Sequence, residues 1–153
     1  MSILLAEMVH GYDVLYPVEY TQEVQDNLAR FLIPMNEIRT SYGVPMIVDS
    51  GWRPSEINKE FGGAPSSKHL IGLAADIQDL DGKVWAWVLQ NLGMMQQKFI
   101  YFEDKRWTPD WVHFQLGGPG SGHRIYIPNY DPAPAPNAWN GVYDKKFDGD
   151  LPV

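Results

Sequence analysis

The sequence contains no cysteine. That excludes a disulfide framework, a thiolate metal site and a cysteine nucleophile, and it leaves the redox compartment open. No apolar run approaches the roughly 18 residues needed to span a bilayer, so no membrane partner is expected. Positive charge is scarce: 12 Lys and Arg stand against 19 Asp and Glu, a formal net charge of −7. The basic residues do not cluster, so the basic face that nucleic acid requires is missing. The same imbalance works against adsorption to an anionic membrane or wall polymer. The first basic residue is Arg30, so the apolar start from Met1 to Leu5 has no positive stretch ahead of it and does not read as a secretory signal. Synthesis in the cytoplasm, without export by the usual route, is the expectation.

What is present is ordinary globular material. Of 153 residues, 44% are hydrophobic and 20% charged, enough apolar content for one core without covalent staples. Val24, Leu28, Phe31, Met35, Ile38 and Tyr42 recur at three- and four-residue steps and predict a helix over 19–42. Thr21 is placed to cap it and Gly43 to end it, while Pro34 predicts a kink or a break into two pieces. A strand is expected over 46–50, a short helix over 54–61, a strand over 73–78 and a second amphipathic helix over 84–92 stopped by Gly93. Residues 99–103 and 111–116 read as two strands joined by turn residues, which predicts an antiparallel hairpin. The order suggests a single α+β domain with a small central antiparallel sheet and helices packed on one side. From Gly117 onward glycine and then proline dominate. The expected division is a domain over 1–117 and a Gly/Pro-rich tail or wrap over 118–153, anchored by Ile125, Tyr126, Ile127, Trp139 and Tyr143.

Two runs carry polar groups in apolar surroundings. In Ser67-Lys68-His69-Leu70-Ile71-Gly72-Leu73-Ala74-Ala75-Asp76, a histidine leaves a Gly/Pro/Ser loop and a carboxylate falls inside a strand. A carboxylate among Leu73, Ala74, Ala75 and Ile77 must be paired or bind a metal. In Asp110-Trp111-Val112-His113-Phe114-Gln115, strand alternation puts Trp111, His113 and Gln115 on one face. Two imidazoles and one carboxylate form a common zinc set with a fourth position open to water. The same three side chains can equally be satisfied one by one through hydrogen bonds in a core. Asp110, at the mouth of its strand, is a carboxylate that could take a proton from such a water, or a plain turn residue. Arg53, in Ser50-Gly51-Trp52-Arg53-Pro54, could anchor a carboxylate or an oxyanion, or make a surface ion pair. Glu103 is a further strand-end carboxylate, either a second carboxylate near such a metal or a solvated strand end. His123 and His10 read as a surface and a structural histidine, and Trp52, Trp107 and Trp111 fall near these motifs.

Together, Ser50-Gly51-Trp52-Arg53, Ser67-x-His69-x-x-Gly72-x-Ala74-x-Asp76 and Asp110-x-x-His113 resemble the signature of the zinc D-Ala-D-Ala carboxypeptidase family, peptidase family M15. The likeness covers approximately residues 20 to 117. It implies a Hedgehog/D-Ala-D-Ala peptidase-like fold, with His69, Asp76 and His113 as zinc ligands. It implies Asp110 as general base, Arg53 as a substrate-binding or carbonyl-polarising residue, and Ser67 beside the substrate. The implied activity is hydrolysis of an amide in peptidoglycan stem peptides, either D-Ala-D-Ala or L-Ala-D-Glu. A monomer acting on the cell wall after release, as phage endolysins do, or carried on a virion, is the expected setting. The rival expectation is a non-catalytic metal-binding structural or binding module on the same fold, which has no need of a carboxylate at Asp110.

Overall fold

The computed structural model describes residues 2–119 and 122–126. It is mixed α and β, with a five-stranded sheet among the described residues. The chain clusters into two compact units, divided after Gln78. Among the described residues, no helix is long and apolar enough to cross a membrane.

In the first unit, α1 (Leu5–Val9) and α2 (Tyr12–Leu15) precede the long helix α3 (Gln22–Tyr42). Thr21 Oγ1 accepts from the Val24 N–H, and Gly43 closes the helix in the left-handed conformation at φ 86°, as the sequence predicts. Of the kink or break that Pro34 predicts, the break does not occur: the helix is continuous through the proline. Phe31, Met35 and Ile38 are fully buried on both sides of the proline. Burial of that stripe outweighs a proline penalty of about 3 kcal/mol. Strand β1 (Val48–Ser50) pairs antiparallel with β2 (Ala74–Gln78), setting Ser50 opposite Asp76. Between them lie α4 (Ser55–Glu60) and a 3-10 turn, Lys68–Ile71. Gly72 leaves that turn at φ 81°, with Val24 O only 3.0 Å from where a Cβ would sit. The small residue thus admits α3 itself, and Asn27 Nδ2 ties the helix to Ile71 O at 2.9 Å.

In the second unit, α5 (Lys83–Gln90) and α6 (Leu92–Gln97) lead into β3 (Ile100–Glu103), a 3-10 turn (Lys105–Trp107), β4 (Trp111–Leu116) and β5 (Ile125–Tyr126). Gly93 does not stop the helical stretch. Asn91 interrupts it instead, and the chain resumes as α6 because Leu92 and Met95 are buried. The α5 start is held by a carboxylate: Asp79 Oδ1 and Oδ2 accept from the N–H groups of Val84 and Trp85. The predicted β3–β4 hairpin is antiparallel, pairing Ile100 with Leu116 and Phe102 with Phe114. Phe102 stacks edge-on against both Trp85 and Phe114. Beyond the expected hairpin, β5 adds a parallel pair, with Phe102 opposite Ile125 and Glu103 opposite Tyr126. Residues 127–153, with Ile127, Trp139 and Tyr143, lie outside the described residues.

Candidate metal centre

The first half of the centre is built on β1, β2 and the turn between them. Ser67 Oγ accepts from the His69 N–H at 3.2 Å and starts the turn that carries the imidazole. His69 is 2% exposed. Its Nδ1 lies 2.6 Å from Gly51 O. A carbonyl oxygen only accepts, so Nδ1 carries the proton and Nε2 of the neutral ring carries the lone pair. That nitrogen faces Asp76 Oδ1 at 3.2 Å. Gly51 is forced to be glycine by its surroundings: a Cβ there would sit 2.3 Å from Met8 O. The same Met8 carbonyl accepts from the Trp52 N–H at 2.7 Å.

Asp76 is 5% exposed, and its second oxygen accepts from Arg53 Nη2 at 2.8 Å. Arg53 is itself buried. Its Nε donates to Ser50 Oγ at 2.8 Å, Nη1 reaches Asn58 Oδ1 at 3.4 Å, and its guanidinium lies over the Phe61 ring. Near these groups, Asn58, Ser55, Glu56 and Lys59 line a cavity of about 460 Å³. Asp49, on β1, has its carboxyl pushed above the usual range, first by burial and then by the Asp76 charge, with His10 opposing.

The second half is built on β3 and β4. His113 is buried, and its Nε2 lies 2.9 Å from Gln115 Oε1. Gln115 Nε2 donates to Gly117 O at 3.0 Å, which fixes the amide orientation. His113 Nε2 therefore carries the proton, and Nδ1 the lone pair. Continued by one step, the hairpin register sets Glu103 opposite His113. Glu103 Oε1 is accordingly 3.6 Å from His113 Nδ1, with the Glu103 side chain 16% exposed.

In both halves an imidazole lone pair faces a carboxylate oxygen. Two acceptors in contact need a cation between them, a proton or a metal. One ligand atom from each of His69, Asp76 and His113 lies within 4.8 Å of the others, and all three residues are buried. Two imidazoles and one carboxylate, with His69 Nδ1 and His113 Nε2 each bonded to another oxygen, suit a divalent ion. The sequence matches the Peptidase M15 family model over residues 15–113.

The chain belongs to peptidase family M15. M15 enzymes are metallopeptidases, and the His-Asp-His cluster is a group that could hold a metal ion. The M15 match leaves α1 and β5 outside its bounds. The comparison with curated proteins gave no match.

Of the other residues singled out in the sequence, Asp110 is exposed at the start of β4, and its carboxylate makes no hydrogen bond or ion pair among the described residues. Only its backbone carbonyl is engaged, by the Asp79 N–H at 2.8 Å. Trp52 is a core residue, 1% exposed, whose Nε1 donates to Leu70 O. Trp107 and Trp111 are half-buried. The contributions of Gly51 and Gln115 to orienting the imidazoles are new. A backbone carbonyl leaves no trace in a sequence, whereas Gln115, two residues beyond His113 on one strand face, was there to be read.

Proposed function

We propose that this M15 protein is a zinc peptidase that hydrolyses an amide bond, D-Ala-D-Ala or L-Ala-D-Glu, in peptidoglycan stem peptides, with His69, Asp76 and His113 as ligands. The observation that carries this reading is the convergence of three buried ligand atoms within 4.8 Å. The orientation of each imidazole supports it, since both protonated nitrogens are occupied elsewhere. His69, Asp76 and His113 would hold the zinc ion, which when bound would lower the pKa of water towards about 7 and polarise the scissile carbonyl.

The remaining work belongs to the chain. Arg53 holds Asp76, and this contact supports a role in orienting the ligand more directly than one on substrate. Ser67 fixes the turn at His69 at the end of the loop along which a substrate would run. The attacking water must give up a proton to a nearby carboxylate. The 3.6 Å approach of Glu103 to His113 and its partial burial favour Glu103 for this task. The motif favours Asp110, whose exposed carboxylate would have to turn in when substrate binds. In either case the carboxyl group returns the proton to the leaving amine as the C–N bond breaks. The cavity beside Asn58 offers Glu56 and Lys59 to the charged ends of a stem peptide. Action on the wall after release from a cell or virion is part of the same proposal.

The test is incubation with purified stem peptides, with released ends identified by mass spectrometry. Chelator-sensitive release is expected. Glu103→Gln should keep stoichiometric zinc and lose about 10²–10⁴-fold in rate, while Asp110→Asn changes little. The reverse ranking would return the base role to Asp110. Metal binding without any chelator-sensitive cleavage would leave a binding module in place of an enzyme.

A further inference from the structure

Gln115 and Tyr126 lie beyond the M15 match, which ends at residue 113. Yet Gln115 touches His113 directly, and Tyr126 acts on it through Gln115. Tyr126 sits on β5, opposite Glu103. Its backbone carbonyl accepts from the Asp104 N–H at 2.8 Å, and the Arg124 carbonyl does the same for Phe102. This pairing holds Tyr126 against β3, and its hydroxyl donates to Gln115 Oε1 at 2.5 Å. The same oxygen takes the proton of His113 Nε2. Gln115 is 3% exposed, so its amide has no water to fall back on. With Nε2 committed to Gly117 O, turning the amide over would set an N–H against His113 Nε2 and a carbonyl oxygen against Gly117 O. That turned amide would favour the other tautomer, whose proton sits on Nδ1.

We propose that Gln115 and Tyr126 are positioning residues that lock His113 in the Nε2–H tautomer, so that its Nδ1 lone pair is directed at the metal. The metal half of this statement rests on the reading of His113 as a ligand. The tautomer half stands on the hydrogen-bond chain alone. Strand β5, outside the matched stretch, is then a working part of the centre. Gly117 O selects the amide orientation, and Tyr126 adds a second donor that holds Oε1 on that side of the amide. The larger effect therefore belongs to Gln115 and the smaller to Tyr126.

Long-range ¹H–¹⁵N spectra of ¹⁵N-histidine-labelled, metal-free protein report the tautomer, and chelator competition reports zinc affinity. The parent should show protonated Nε2 on His113. Gln115→Leu should populate both tautomers and weaken zinc binding by about 10–100-fold, the usual loss for an outer-shell partner. Gln115→Glu retains an acceptor and should restore the parent tautomer and most of the affinity. Tyr126→Phe, which keeps the ring, should weaken zinc binding by a smaller factor. A proton on Nδ1 in the parent overturns the proposal. So do an unchanged tautomer and unchanged zinc affinity in Gln115→Leu. If Gln115→Leu fails to fold, the Glu and Phe variants decide by the same two readings. Parent protein with the expected tautomer but no zinc affinity would sink the ligand reading and leave the tautomer lock supported.

Discussion

Replacing Gly51 by alanine would put a methyl group where the backbone of α1 already runs. The new carbon would lie 2.3 Å from Met8 O, 2.7 Å from Met8 Cα and 2.9 Å from Met8 C. Ordinary contact begins near 3.4 Å, so helix and strand must part by about 1 Å. Neither side is flexible, because the atoms met are backbone and Met8 is fully buried. Overpacking of this kind costs about 1–3 kcal/mol. Stretching the Trp52 N–H bond to Met8 O adds roughly 1 kcal/mol, for a total of about 2–4 kcal/mol. The displacement also moves Gly51 O away from His69 Nδ1, so zinc affinity should fall by about 10–100-fold. Urea denaturation of the metal-free protein measures the first loss, and chelator competition the second. Gly11→Ala is the control. Gly11 has φ +75° but open space around its missing Cβ, so it should cost only about 1–2 kcal/mol of backbone strain and leave zinc affinity alone. A Gly51→Ala protein within about 0.5 kcal/mol of the parent, with zinc affinity unchanged, would refute the buttress.

Two further expectations concern stability. Asp79, whose side chain is fully buried, caps α5 through two N–H groups and lies 3.2 Å from Lys105 Nζ. Asp79→Ala should cost about 3–5 kcal/mol in urea denaturation, because it leaves two helix N–H groups uncapped and takes from Lys105 its only carboxylate among the described residues. A loss under about 1 kcal/mol would show that the cap is dispensable. Asp49 is held above its ordinary carboxyl value of 3.8 by burial and by Asp76. A carboxyl raised in the folded state binds its proton more tightly there, so its ionisation penalises folding above the folded pKa and not below the unfolded one. Metal-free Asp49→Asn should therefore melt higher than the parent at pH 7, with the gap closing as pH falls below 3.8. A gap of the same size at both ends of that range would rule out Asp49 as its source.

Much of this molecule is legible from residue order because its signals are local. The helix at Gln22–Tyr42 follows from apolar spacing, Thr21 and Gly43. The β3–β4 hairpin follows from two adjacent strands and turn residues between them. The polar groups at His69, Asp76 and His113 stood out because each interrupts an apolar run, where burial demands a partner. Other features depend on partners distant along the chain. Pro34 passes through an unbroken helix because both flanks of α3 are packed, a condition no window of sequence contains. Ile125 and Tyr126 form a strand only because β3 offers an edge.

The choice between Glu103 and Asp110 marks the same division. Sequence spacing favours Asp110, three residues before His113. Strand register instead brings the Glu103 side chain across the hairpin to the imidazole. Residue order alone singled out His69, Asp76 and His113 as buried polar groups in need of partners. Tertiary structure decided which nitrogen of each imidazole keeps its lone pair, because that depends on two oxygens, Gly51 O and Gln115 Oε1, whose positions are set by backbone pairing and packing.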